Sequence, residues 1–367
     1  MDMVARTKAQ GGRLCLAAAV ALVAVLSLLT AGSAVAAYSN TADAGTWGAN
    51  GRVRAIARSG NRVYIGGDFT AVRSPSGSLR TAIRIAALNA TTGAVDTGFT
   101  ASLDGSVYAL EVGPDGTVYA GGFFDNVNGT RHPKVVALSP TGAVLSSFNI
   151  TADLPVRALE LHAGELYMGG SFMKIFKGSQ GVARSRLAAI KVPAATVDAT
   201  WQPKVNKHVR ALRKSRDSDH MYVGGDFTTV TGGNPQFALA SFSLSNGAWE
   251  SAFDPTVRAD PAFCGNGCVM DLATSVDGSR VFAAVGGKSP GNALLAVSSS
   301  NGGTLWDLVG DGDFQAVAVQ GNWVYAGGHF MSVARDTRRA KFITVRADDS
   351  KGAYVDEFRP TVNSSLG

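Results

Sequence analysis

Gly287-Lys288-Ser289-Pro290-Gly291 matches G-x-S-x-G, the turn on which many hydrolases present a nucleophilic serine. The residue after that serine must donate a backbone N–H to the oxyanion, and Pro290 has none. The same stretch reads Gly-Lys-Ser, yet Phe282 stands where a phosphate-binding loop needs its first glycine. An ordinary Pro-Gly turn accounts for the segment better than acyl or phosphoryl transfer. The histidines (His132, His162, His208, His220 and His329) show no H-E-x-x-H or related ligand spacing, so no metal is expected. Asp311-Gly312-Asp313 and Asp348-Asp349 are too short for a calcium loop. No motif implies a cofactor.

A different pattern does carry chemistry. A V-x-A-L-like strand recurs six times, and its second residue is Arg54, Tyr108, Arg157, Arg210, Met270 and Gln315 in turn. If this strand lines a central channel, three guanidinium forks approach one axis, which suits a carboxylate or sulfate group. The competing expectation is that each arginine bonds free carbonyls or acidic loops of a neighbouring unit. Asp68 and Asp226 occupy equivalent places after a glycine doublet, where a turn side chain commonly bonds nearby backbone N–H groups. Asp104, Asp153 and Asp254, near strand ends, are the carboxylates from which a glycosidase pair about 5 to 9.5 Å apart would have to come.

The elements that must position these residues are internal repeats. VRAIARSGNRVYIGGDF (from Val53), VYALEVGPDGTVYAGGFF (from Val107), VRALELHAGELYMGGSF (from Val156) and VRALRKSRDSDHMYVGGDF (from Val209) align with little adjustment. VMDLATSVDGSRVFAAVGG (from Val269) and FQAVAVQGNWVYAGGHF (from Phe314) complete six copies with a period of about 52 residues. Each copy gives a first strand, a polar turn such as Pro114-Asp115-Gly116, and a second strand ending in Gly-Gly. A looser polar segment then leads to a third strand (RIAAL, KVVAL, RLAAI, KFITV) and a fourth (AVDTGF, AVLSSF, TVDATW, AWESAF, TLWDL, YVDEF). Four such strands cannot bury both faces alone, and no 3.6-residue period appears after the first 36 residues.

The expected fold is therefore all-β: a six-bladed β-propeller with four antiparallel strands per blade, over approximately 52–104, 105–153, 154–206, 207–258, 259–311 and 312–363. The doublets mark places where backbone must bend or pass close to a neighbour. Tyr64, Tyr119, Tyr167, Tyr222 and Tyr325, just before them, are expected to pack between blades. Copy five carries Ala284-Val285 where the doublet should stand, with Gly286-Gly287 beyond, so its register is the least defined. The TWGANG segment before the first copy and the DEFRPTVN segment after the last share the same repeat phase, so a closed ring is expected rather than an open solenoid.

VYxGGxF, a loop with Val127-Asn128-Gly129, the strand from Leu187 to Ile190 preceded by Arg184, and the Thr-Gly turns together resemble secreted bacterial propellers. The family is that of the domain of unknown function 5122 (DUF5122), or delta-60 repeats, with kelch-like Gly-Gly spacing. The resemblance covers about 50 to 363 and implies an exported propeller, often found beside other extracellular modules.

The compartment is legible at the N-terminus. Arg6, Lys8 and Arg13 precede the apolar run Leu14–Leu29 and the small-residue stretch AGSAVAA, the pattern of a secretory leader. Cleavage after Ala36 is expected, leaving the domain 37–367; an uncleaved anchor would need a longer apolar run of about 20 residues. Without the leader the formal charge of +6 falls to +4, too small and dispersed for a nucleic-acid partner. Cys264 and Cys268 then remain, and a disulfide is the natural reading in an exported chain. So small a loop contributes only about 2 kcal/mol of chain entropy. The function expected is a non-enzymatic secreted module, a monomer, recognising an extracellular and anionic protein or glycan through its loop face. A secreted carbohydrate-active enzyme with its site at the channel mouth is the alternative, and cell-wall association a third setting.

Overall fold

The computed structural model describes residues 43–216, 219–257, 268–287, 291–334 and 341–352. The leader, Cys264, most of the G-x-S-x-G segment (288–290) and YVDEF lie outside the described residues. What is described is almost wholly antiparallel β-structure, with a single 3-10 turn at Thr231–Gly233.

Six sheets each begin with a V-x-A-L-like strand: Val53–Ser59, Val107–Val112, Val156–His162, Val209–Lys214, Val269–Thr274 and Phe314–Gln320. In every sheet this inner strand pairs with the strand ending at the doublet, which in turn pairs with the third strand. The fourth strand is a correction. Among the described residues it forms a regular ladder only in the third unit (Thr196–Val197) and the fifth (Thr304–Val309). In units one, two and four it shrinks to a single bridge, Leu88↔Val95, Leu138↔Val144 and Phe242↔Trp249. Its terminal aromatic still packs: Phe99, Phe148, Trp201 and Phe253 lie 5.0–5.5 Å from Tyr64, Tyr119, Tyr167 and Tyr222. Ring contact, rather than ladder bonds, anchors these outer segments.

In units one to four the looser polar segment proves to be ordered. In unit three it is the hairpin Lys174–Lys177 and Gln180–Ala183, which takes Ile150–Ala152 of the preceding connection as a third strand. Shorter versions occur in units one, two and four. In these four units, and at the start of the third strand of unit six, the main sheet is entered through a residue of positive φ: Arg84, Lys134, Arg186, Ala238 and Lys341. The carbonyl of that residue accepts the N–H of the second glycine of the doublet, 2.9–3.0 Å away.

Both glycines of the doublet answer to close approach. A Cβ on Gly66 would lie 2.5 Å from Val107 Cγ1 of the next inner strand, and one on Gly67 would overlap the Arg52 carbonyl oxygen. Unit five keeps register without them: Ala284 pairs with Asp271 as Gly66 pairs with Ala55. Its neighbour there begins with Phe314, which packs with Ala284 in one cluster.

Five hydrophobic clusters join consecutive sheets, from the first and second to the fifth and sixth. The recurring spacing of Val and Leu along each inner strand supplies one side of each cluster, and the aromatic before the doublet the other. No comparable packing joins the sixth inner strand back to the first among the described residues. The closed ring expected from repeat phase is not seen at this seam.

Candidate functional site

Every inner strand carries an irregularity at the same place. Val53 pairs with Gly67 and Ala55 with Gly66, which leaves Arg54 as the extra residue of a β-bulge; the same shift recurs in all six sheets. A bulge re-aims the extra side chain. Consequently Arg54, Tyr108, Arg157, Arg210, Met270 and Gln315 all line one cavity of about 740 Å³. The next residue is alanine in five of six copies, which keeps the space open.

In units one, three, four and six the side chain after the doublet bonds the bulge residue across the strands. Arg54 binds Asp68 at 2.7 Å, and Arg210 forks onto Asp226 at 2.6 and 3.1 Å. Gln315 meets His329 Nδ1 at 3.1 Å. Asp68 and Asp226 are therefore partners of arginine within their own unit, not turn residues bonding backbone. Burial pushes the Asp68 carboxyl up, but hydrogen bonds from Ser106 and Arg54 hold it below the usual carboxylate range.

Arg157 differs. Ser171 occupies the place of the aspartates, and its hydroxyl accepts from Arg157 Nε at 3.2 Å. Tyr108 lies between two guanidinium groups, with Arg54 Cζ 5.2 Å and Arg157 Cζ 5.0 Å from its ring centroid. Burial, then the charge of Arg210, lowers the Arg157 pKa, although a guanidinium remains protonated at any physiological pH. At this level Arg54 and Arg210 each face a carboxylate and Arg157 a hydroxyl, while Asp313 accepts from Gln315 Nε2 at 2.9 Å.

A second layer lies three positions further along the inner strands, where Glu111, Glu160 and Arg213 face the same cavity, with Asp271 nearby. Burial, and after it the charge of Glu160, pushes Glu111 up to about 8 against the pull of Arg213. Burial also raises Glu160, whose Oε2 lies 3.7 Å from Arg213 Nη1. Asp271 is raised by burial too, while accepting the N–H groups of Leu272 and Val317 at 2.8 and 2.9 Å. Sequence reasoning missed this layer. The signal lay in the repeat alignment, whose fifth column reads Ala57, Glu111, Glu160, Arg213, Ala273 and Ala318.

The carboxylates singled out from strand ends sit elsewhere. Asp104 accepts the N–H groups of Asp125 and Asn126, and Asp153 those of Met173 and Lys174. Asn50, Asn206 and Asp311 make the same bonds in their units, so the position caps the hairpin. Asp254 bonds Asn301 through its backbone, and none of the three lines the cavity. Among the described residues no group of three His, Cys, Asp or Glu side chains could hold a metal ion. His220 bonds Glu250 at 2.6 Å and His329 approaches Asp313 at 3.3 Å. Cys268 is disulfide-bonded; Cys264, its expected partner, lies outside the described residues.

Small antiparallel sheets packed face to face, with their inner strands lining a shared cavity, define an all-β chain of the β-propeller class. The family model described as "Domain of unknown function (DUF5122) beta-propeller" matches residues 113–148, from the first turn of unit two to Phe148. No curated protein matches the chain. Among solved structures, the crystal structure of the computationally designed Ika8 protein is similar, with a TM-score of 0.51 over 86% of this chain and 89% of that one. At 13% identity this likeness speaks for the fold alone.

Proposed function

We propose that the chain is a six-bladed, secreted binding propeller that takes an anionic group of an extracellular glycan or protein into the arginine layer of its channel. Six sheets in tandem, each led by one inner strand, support the blade count, and the leader-like N-terminus supports export. Arg157 carries the functional reading. It is largely buried, lies against Tyr108, and has a hydroxyl where Arg54 and Arg210 have carboxylates. A sulfate or carboxylate there gains charge-assisted hydrogen bonds without displacing an existing ion pair.

The test is calorimetric titration of the mature chain with sulfated, uronate-containing and neutral oligosaccharides of equal length. Binding of the acidic set alone, weakened about tenfold or more by Arg157→Gln, is the expected result; each tenfold corresponds to about 1.4 kcal/mol. Equal affinity of wild type and variant contradicts the assignment.

A second reading is favoured by one observation: two largely buried glutamates share the channel, and Glu160 helps to raise Glu111. A carboxyl raised in pKa beside a second one is the kind of pair that serves as acid and base in glycoside hydrolysis. Reducing-end release from any bound oligosaccharide, abolished by Glu160→Gln, would establish that reading in place of a binding module.

A further inference from the structure

Unit one shows how the chain surrounds a carboxylate at the edge of the bulge layer. Asp68 accepts from Arg54 Nε on one oxygen at 2.7 Å and from the Ser106 hydroxyl of unit two on the other. Against the effect of burial, the Arg84 charge helps to keep it ionised. Unit three repeats the surrounding residues without the carboxylate. Arg157 stands for Arg54, and Arg186 for Arg84 at the same positive-φ entry to the third strand. His208, the residue before the fourth inner strand, stands for Ser106. Ser171 stands for Asp68, so Arg157 Nε meets only a hydroxyl, at 3.2 Å. Ser171 is buried, and His208 Nδ1 is buried with no hydrogen-bond partner among the described residues. Burial lowers the His208 pKa, and the charges of Arg157, Arg210 and Arg186 lower it further against the pull of Asp226. Asp226 is itself committed to the fork of Arg210.

We propose that the place taken by the Asp68 carboxylate in unit one is, in unit three, a binding site for a carboxylate of the ligand, bounded by Arg157, Ser171, Arg186 and His208. This rests on the reading of Arg157 as the anion-binding residue and deepens it by naming the ligand's group as a uronate. The frame is one that the chain itself fills with two coplanar oxygens, so a carboxylate suits it better than a tetrahedral sulfate. The group arrives from the channel, which Arg157 lines. It accepts from Arg157 Nε and from His208 Nδ1–H, in the tautomer that an anion selects, and the Ser171 hydroxyl turns to donate to it. Unit four closes the same place with Asp226, and unit two with Phe123. Arg186 and His208 are thereby ligand-binding residues of the arginine layer, drawn from a third strand and from the next unit.

The experiment supplies the missing carboxylate from the chain. Ser171→Asp should rebuild the unit-one arrangement and lower the affinity of the mature chain for a hexuronate disaccharide at least about a hundredfold in calorimetric titration. Ser171→Ala, which removes only a hydroxyl, should keep that affinity within about tenfold of wild type. Affinity lost in Arg157→Gln but kept in Ser171→Asp overturns this site alone. No binding of the hexuronate, or binding indifferent to Arg157→Gln, overturns this site together with the reading on which it rests. Should Ser171→Asp fail to fold, the wild-type chain decides the matter by an NMR pH titration of the His208 ring. The bound hexuronate should raise the His208 pKa, and the same disaccharide with its carboxyl reduced to an alcohol should not. A His208 titration unmoved by saturating hexuronate overturns the proposal.

Discussion

The two charged layers of the channel are about 10 Å apart, three residues along the same inner strands at roughly 3.3 Å each, and they handle charge in opposite ways. In the bulge layer, Arg54 and Arg210 have carboxylate partners directly across the ladder, so ionisation is kept, and Arg157 faces a hydroxyl instead. In the deeper layer Glu111, Glu160 and Asp271 are all pushed up by burial, with Arg213 the cation among them. Backbone irregularity, and not residue type alone, decides which of these outcomes a charged side chain meets. A bulge frees a side chain to meet the residue after the doublet, whereas the regular positions beyond it point into space shared only with other inner strands. The first layer keeps its charges paired across the ladder; in the second, Glu111 holds its proton well above the usual carboxylate range.

Breaking the better-buried ion pair should have the largest effect. Asp226→Asn leaves Arg210 largely buried beside a neutral amide, and a loss of about 3–5 kcal/mol in urea denaturation is expected.

The deeper layer makes a pH prediction. Because the folded state raises Glu111 to about 8 from an ordinary 4.5, it retains a proton that the unfolded chain releases. The stability contributed by this proton is complete below pH 4.5 and is lost as pH rises toward 8. A tenfold difference in proton affinity between the two states corresponds to about 1.4 kcal/mol, so the change across that window is on the order of a few kcal/mol. Glu111→Gln should flatten the curve of denaturation free energy between about pH 5 and 8.5 relative to wild type. A variant curve parallel to wild type would show that the two layers titrate alike.

Arg157→Gln should change stability by less than about 0.5 kcal/mol while weakening an acidic ligand, since it removes no ion pair. A large loss of stability would make Arg157 a structural residue like Arg210. A similarly small effect is expected of Asp68→Asn, about 0–1 kcal/mol in the same urea denaturation, because both partners of that bridge are partly exposed.

The bulge layer is legible in the sequence because its residues stand second in a six-times-repeated strand, and a column of Arg54, Arg157 and Arg210 stands out against hydrophobic neighbours. Their convergence follows from the repeat, but the pairing with Asp68 and Asp226 does not. It depends on a register shift that no local propensity encodes. Glu111 and Glu160 escape notice because charge in their column varies between units, although the alignment already holds it. The hairpins look like loose segments since strands as short as Asn126–Val127 and Thr130–Arg131 have no measurable alternation. Their capping column, Asp104 and Asp153, resembles candidate chemistry because an acid near a strand end looks alike in either role. The fourth strands are overcounted from sequence: in units one, two and four the aromatic at the end is held by its tyrosine, and a full ladder is unnecessary.

Whether Arg157 is the anion-binding member of its layer is tested most directly by following the arginine Nε–H resonances of the mature chain by NMR during titration with a sulfated disaccharide. A saturable shift of Arg157 Nε–H is expected, with smaller movement at Arg54 and none at the Asp226-held Arg210. Saturable binding that leaves the Arg157 signal unmoved would contradict it.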